Sequence, residues 1–283
     1  MAGKKALTGV AALTLFDIVA AHAQPAPVYN WTGFYFGGHA GYRWADVNGT
    51  APVGVTPNFN QFIAPPTFNP LFVPIDLKPQ NAIYGVHFGF NYVTPAIPLV
   101  GWEIDFSWGK GTSRSSFVSL VDIPNNVFGS TFLSATVEWQ ASFRGRVGYT
   151  WGPLLFYWTA GVSVMQASIS GFSRAAGGNT ICSFDFACTV FSFNSASSFS
   201  TSRTLVGGVV GGGFEYLLAN GLMFRLEYLF ADYGNVNFGN VAVTSTYADN
   251  FNCVCTITST YVGNVTAQVT TQTVRAGISL KLP

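Results

Sequence analysis

Residues 136–149 split cleanly by parity. Thr136, Glu138, Gln140, Ser142, Arg144 and Arg146 fall on one set of alternate positions. Val137, Trp139, Ala141, Phe143, Val147 and Tyr149 fall on the other. A β-strand sends successive side chains to opposite faces. This stretch therefore reads as a strand with both arginines on one side and every large apolar group on the other. A helix would smear the two sets around its surface.

The same division recurs seven times. Phe34, Phe36, Ala40, Tyr42 and Trp44 oppose Tyr35, His39 and Arg43, and Tyr84, Val86, Phe88, Phe90 and Tyr92 oppose His87 and Asn91. Val100, Trp102, Ile104, Phe106 and Trp108 oppose Glu103, Asp105 and Ser107. Phe156, Trp158, Ala160, Val162 and Val164 oppose Tyr157, Thr159 and Ser163. Val206, Val210, Phe214 and Tyr216 oppose Arg203 and Glu215, while Leu222, Phe224, Leu226, Tyr228 and Phe230 oppose Arg225 and Glu227. Val274, Ala276, Ile278, Leu280 and Leu282 oppose Arg275, Ser279 and Lys281.

A soluble antiparallel sheet alternates too, so composition decides which side meets water. Charged residues make up 9% of the chain and aromatics 16%. An ordinary soluble domain carries about 25% charged residues. The apolar faces are aromatic, with Tyr or Trp near strand ends, as membrane girdles require. Links between stretches alternate in length. Residues 45–80, 111–133, 167–202 and 234–265 are long, whereas 94–98, 151–152 and 219–221 are short. The expectation is an all-β, eight-stranded, antiparallel, transmembrane up-and-down β-barrel with short periplasmic turns and four long outer loops. A spanning helix needs about 20 apolar residues, and the best candidate, 147–173, is interrupted by Gly152-Pro153 and diluted by Gln and Ser.

The first 23 residues read as an export signal: Lys4 and Lys5, an apolar run from Ala6 to Phe16, then Ala21-His22-Ala23 as a small-x-small cleavage site. Residues 24–283 form the barrel domain. Net charge is +1 and no basic block occurs, which excludes an electrostatic footprint for nucleic acid.

A barrel of eight strands is just wide enough for side chains to fill. A basic side chain facing lipid at mid-depth costs about 2–4 kcal/mol, so parity directs the charges inward. Six basic residues (Arg43, Arg144, Arg146, Arg225, Arg275 and Lys281) then meet five acidic ones (Glu103, Asp105, Glu138, Glu215 and Glu227). Buried charges must pair. The turn at Ala219-Asn220-Gly221 sets Glu215 opposite Arg225. If strands three and four set 105 opposite 144, then 103 faces 146, giving Asp105–Arg144 and Glu103–Arg146, with Glu227 similarly placed to meet Arg275. The lumen is expected to hold a cross-linked interior ion-pair network.

Chemistry beyond ion pairing is weakly signalled. His39 and His87 face inward without a third metal ligand in view, and neither sits beside a Ser in a hydrolase motif. No enzyme, cofactor or metal is expected. The expected function is structural, or surface interaction such as adhesion through the outer loops; the alternative is a small-solute porin. Cys182 and Cys188 flank a near-symmetric stretch, ICSFDFACTV, whose hairpin favours a disulfide between them. Bridges to Cys253 or Cys255 are the rival. Exposed Phe and Leu in 57–74 offer contact to lipopolysaccharide, a neighbouring barrel or a host surface.

Four stretches carry a resemblance: YNWTGFYFGGHAGYRW (29–44), FRGRVGYTWGPLLFYWTAGVSV (143–164), GGGFEYLLANGLMFRLEYLFADYG (211–234) and QTVRAGISLKL (272–282). Together they resemble the small outer-membrane β-barrel family of alphaproteobacteria, related to opacity-type porins and to the membrane domain of outer-membrane protein A. The resemblance implies location in the bacterial outer membrane, periplasmic termini, surface-exposed loops and roles in envelope integrity, adhesion or immune recognition. It implies outer-membrane lipid, lipopolysaccharide and the barrel-assembly machinery as partners. The chain departs from the family pattern in ending Leu282-Pro283 where members carry an aromatic residue.

Overall fold

The computed structural model describes residues 29–58, 67–93, 99–122, 127–182, 188–218, 220–249 and 255–282. The export signal, Cys253 and the tip of the first long connection lie outside the described residues. These residues form ten strands: β1 (Gly33–Asn58), β2 (Thr67–Leu77), β3 (Gln80–Tyr92), β4 (Leu99–Trp108), β5 (Gly111–Asp122), β6 (Val127–Trp151), β7 (Leu154–Cys182), β8 (Cys188–Leu217), β9 (Leu222–Asp249) and β10 (Cys255–Lys281). Every ladder is antiparallel, the β1–β3 and β4–β6 ladders each skipping one short strand, and β10 returns to pair with β1. The sheet closes on itself, as a membrane requires of any strand-built span. No described helix is long and apolar enough to cross a membrane.

Ten strands make eight staves. β3 pairs with the lower half of β1 and β2 with its upper half. β4 and β5 likewise divide β6 between them. Each broken stave jogs at a point the sequence marks, at Lys78-Pro79 and at Gly109-Lys110. Proline supplies no ladder donor, and Gly109 sits at φ 154°. The short-turn end is tight: Gly221 takes φ 84° and its amide donates to the Leu218 carbonyl. That is the left-handed glycine a three-residue hairpin needs.

The connections expected to be long loops are largely strand. β7 runs unbroken for 29 residues and β8 for 30, well beyond the nine to eleven that cross a bilayer. The extra length changes character rather than direction. In β10 the outward residues Leu280, Ile278, Ala276 and Val274 give way to Gln272, Thr270, Gln268, Thr266 and Asn264. The inward residues Ser279, Arg275 and Thr273 give way to Val269, Ala267 and Val265. β1 inverts just above Arg43, and β7 inverts at Met165. Below that level the barrel is greasy outside and charged within, closed at the short-turn end by a second apolar cluster that includes Trp31, Leu99, Leu155, Leu217 and Met223. Above that level the wall is hydroxylated outside and encloses one apolar cluster, including Val47, Ile75, Leu77, Leu133, Val137, Met165, Ile169, Phe238, Val241 and Val269.

Each fully buried aliphatic side chain in that cluster contributes about 1.5–3 kcal/mol of burial energy. The cluster explains why these strands stay paired without lipid around them. Tyr42, Trp44, Tyr84, Trp108 and Tyr228 are exposed near the inversion, and Tyr92, Tyr149, Trp151 and Tyr216 are exposed near the short turns. The two aromatic sets bracket the apolar outer band.

Candidate functional site: the charged lumen

The lower lumen is built from β4, β6, β8, β9 and β10, each contributing inward charges two residues apart or singly. Arg144 contacts Glu103 at 2.5 Å, Glu227 at 2.8 Å and Asp105 at 3.0 Å. Arg225 reaches Glu103 and Glu215, both at 2.5 Å. Arg146 reaches Glu215 at 2.6 Å and Glu103 at 3.5 Å. Arg275 meets Glu227 at 2.6 Å, Asp105 at 2.7 Å and Glu103 at 3.5 Å. Four cations and four anions thus interlock, all of them buried.

Neutral side chains complete the cage. The Tyr35 hydroxyl donates to Glu103 at 2.8 Å and the Tyr157 hydroxyl to Glu227 at 3.0 Å. Arg146 donates to the Tyr35 hydroxyl and lies 3.9 Å above the Tyr157 ring. Ser142 donates to Asp105. Each carboxylate faces at least two donors, which such burial demands. Parity alone put Tyr35 and Tyr157 on the inward set, so their presence was readable. Their hydrogen-bond partners needed the three-dimensional register.

Three of the expected network members stand apart. Glu138 is half exposed and pairs with Lys110 at 3.6 Å. A bulge explains it: Val137 lies opposite Ala167 and Gln140 opposite Met165, so Glu138 and Trp139 together oppose Gln166. One inserted residue switches the inward parity from even to odd, which places Val137 inside and Glu138 outside. Lys281 sits half-buried at the short-turn rim beside Gly33, with no ion pair among the described residues. Arg43 is buried but meets no carboxylate among the described residues. Its Nη2 donates to the Gly109 carbonyl at 2.7 Å, the Glu138 carbonyl at 3.0 Å and Asn81 Oδ1 at 3.2 Å. Those groups mark both stave breaks and the β6 bulge, so one guanidinium ties three wall irregularities together.

The expected contacts Asp105–Arg144 and Glu103–Arg146 form, but diagonally, because the register differs from the expected one by one repeat. Glu103 lies opposite Arg144, and Asp105 lies opposite Ser142. The unseen bulge and the jog after Trp108 remove any hairpin geometry that would fix that register from sequence. Glu215 is opposite Arg225 and Glu227 opposite Arg275.

His39 and His87 stack with Nδ1 atoms 3.3 Å apart. His39 Nε2 contacts Ser107 Oγ at 2.8 Å and His87 Nε2 contacts Ser279 Oγ at 2.6 Å. The serines are distant in sequence, so no local motif announces them. Among the described residues no group of three or more His, Cys, Asp or Glu could hold a metal ion. At the far end, the β7–β8 ladder sets Cys182 opposite Cys188 at the backbone.

A family model described as outer membrane protein beta-barrel domain matches residues 10–248. The 25 kDa outer-membrane immunogenic protein of Brucella abortus biovar 1 (strain 9-941) is 25% identical over 228 residues, 80% of this chain and 76% of that one. The 22 kDa outer membrane protein of Rhizobium leguminosarum bv. viciae is 25% identical over 219 residues, 76% of this chain and 72% of that one. Among solved structures, Neisserial surface protein A aligns with TM-score 0.33 and 11% identity, over 89% of this chain and 98% of that one. Ail of Yersinia pestis aligns with TM-score 0.25 and 12% identity, over 88% of this chain and 99% of that one.

Proposed function

The chain belongs to the outer membrane protein beta-barrel domain family and is an outer-membrane β-barrel, and from that premise we propose that it works as a sealed structural barrel whose protruding outer part makes surface contacts. One observation carries this reading: the lumen is filled along its length by a charged layer held between two apolar ones. The charged cage fills the membrane-embedded half. The larger apolar cluster fills the half above it. An ion crossing the barrel would have to displace paired charges and then enter a hydrocarbon-like layer, where an isolated charge is strongly disfavoured.

The reading is non-enzymatic. Every lumen carboxylate is engaged by at least one arginine, which leaves none poised for proton transfer. Lipid, lipopolysaccharide and the barrel-assembly machinery are the partners this reading supposes, with a further ligand at the outer loops. Relatives named immunogenic proteins support surface exposure.

Planar-bilayer recording on the refolded, full-length protein tests the proposal. The expected result is negligible conductance while the barrel shows heat-modifiable gel mobility. Stable single channels that change size in Arg146→Ala or Arg43→Ala would favour the small-solute porin instead.

A further inference from the structure

The outward face of β5, β6 and β7 above the membrane is rich in Ser and Thr, with Arg114, Arg174 and Gln166 among them, and two aromatic side chains stand out on it. Phe132 and Phe172 lie opposite each other across the β6–β7 ladder and are exposed by 52% and 37%. Beside them runs a groove of about 440 Å³ lined by Arg114, Ser116, Phe132, Ser134, Ser170 and Phe172. Register sets Arg114 opposite Ser134 on one side of the ring pair and Arg174 opposite Ser130 on the other. Arg174 holds its guanidinium 5.0 Å from the Phe172 ring centre. The residues lining the groove include no carboxylate. Glu138, lower on β6, is engaged by Lys110.

Rings and cations arranged this way select a ligand with an apolar face and anionic substituents. The C–H face of a pyranose ring stacks on an aromatic ring. A guanidinium grips phosphate or carboxylate through paired donors. Exposed aromatic patches on an otherwise polar wall mark contact sites. Position then narrows the source. Phe172 lies eight residues above Val164, the last apolar outward residue of β7 below the inversion. At about 3.3 Å per residue and a tilt of about 40°, that is about 20 Å above the hydrocarbon edge. The groove also faces sideways from the barrel flank rather than outward from its tip. What lies beside a flank at that height is the sugar layer of the barrel's own leaflet.

We propose that this groove binds the phosphorylated, carboxylated core saccharide of lipopolysaccharide in the same membrane. The proposal rests on the outer-membrane reading with the long strand ends outward. Insertion and folding are therefore scored separately, by heat-modifiable mobility and protease protection in vesicles.

The test uses full-length protein in detergent and lipid-free core oligosaccharide released from rough-type lipopolysaccharide, with calorimetric or thermophoretic readout. Wild type is expected to bind, with binding weakened at least tenfold in Arg114→Gln/Arg174→Gln and in Phe132→Ser/Phe172→Ser. Dephosphorylated oligosaccharide should bind wild type at least tenfold more weakly. Phe132→Trp adds a readout free of any loss-of-function variant: its fluorescence should shift on titration with core oligosaccharide. Equal binding by wild type and both double variants would overturn the proposal, as would an unchanged Phe132→Trp signal. Tighter binding of a sulfated glycosaminoglycan than of core oligosaccharide would overturn the assigned source. A failure of folding or insertion would strike the outer-membrane reading itself, and shows in the separate score.

Discussion

Glu103 lies directly across the β4–β6 ladder from Arg144, and their side chains meet at 2.5 Å inside the barrel. Glu103 also contacts Arg225, so it joins staves on both sides of the lumen. Removing one charge of a buried set leaves the others uncompensated, which costs about 3–5 kcal/mol. Glu103→Gln and Arg144→Met should each lose stability on that scale. The double variant restores parity, with three cations facing three anions, and should lose clearly less than the sum. Denaturant titration of the barrel in detergent micelles, run as a double-mutant cycle, measures the difference.

Arg43 should behave differently from the network arginines. Its guanidinium holds carbonyl and amide oxygens at both stave breaks and at the β6 bulge. A hydrogen bond from a charged donor is worth about 1.5–3 kcal/mol. Arg43→Met is expected to cost about 2–4 kcal/mol and to speed amide exchange selectively around 78–82, 109–111 and 137–140. Uniform acceleration across the barrel would assign Arg43 a general packing role instead.

The inversion of polarity along the barrel wall predicts position-dependent tolerance of charge. Phe143→Arg, on the lipid face, should cost about 2–4 kcal/mol. Gln268→Arg, on the outward face above the inversion, should change stability by less than about 0.5 kcal/mol. Ile169→Asp, on the inward face at that height, should be strongly destabilising because the carboxylate enters an apolar cluster without a partner. Denaturant midpoints for the three variants give the comparison.

Cys182 and Cys188 are proposed to form a disulfide. Their opposed backbone positions fall in the range that a disulfide spans, since directly opposite residues of an antiparallel pair lie about 4.5–5.5 Å apart. Non-reducing peptide mapping should recover one peptide pair joined between 182 and 188. Linkage of either to Cys253 or Cys255 would replace this pairing with a bridge between loops.

Much of the lower barrel was legible because membrane and lumen impose opposite demands on alternate residues. Phe143 and Arg144 could not trade faces without exposing an arginine to hydrocarbon. The upper barrel was not legible as strand. Once a wall leaves lipid, outward Thr266 and Gln268 and inward Ala267 and Val269 alternate only weakly, and small hydroxyl residues read as loop. The β6 bulge left no mark in the pattern either, because Glu138 and Trp139 fit both parities equally well. Glu138 was misassigned for that reason. The Glu215–Arg225 contact was readable because a short turn with Gly221 fixes its register. The Glu103–Arg144 contact was not, because the connection joining their staves is long.

The central claim is that the barrel wall reverses its polarity midway, a reversal that β10 makes without changing its own inward parity. Spin labels placed singly at 264–280 along β10, in a background whose native cysteines are serine and in folded, vesicle-inserted protein, test it most directly. Even positions 274–280 should collide with oxygen, even positions 264–272 with a water-soluble nickel chelate, and odd positions with neither. Nickel access at odd positions along the whole strand would mean a water-filled pore, and oxygen access at 264–272 would mean a wall immersed in lipid throughout; either result contradicts this account.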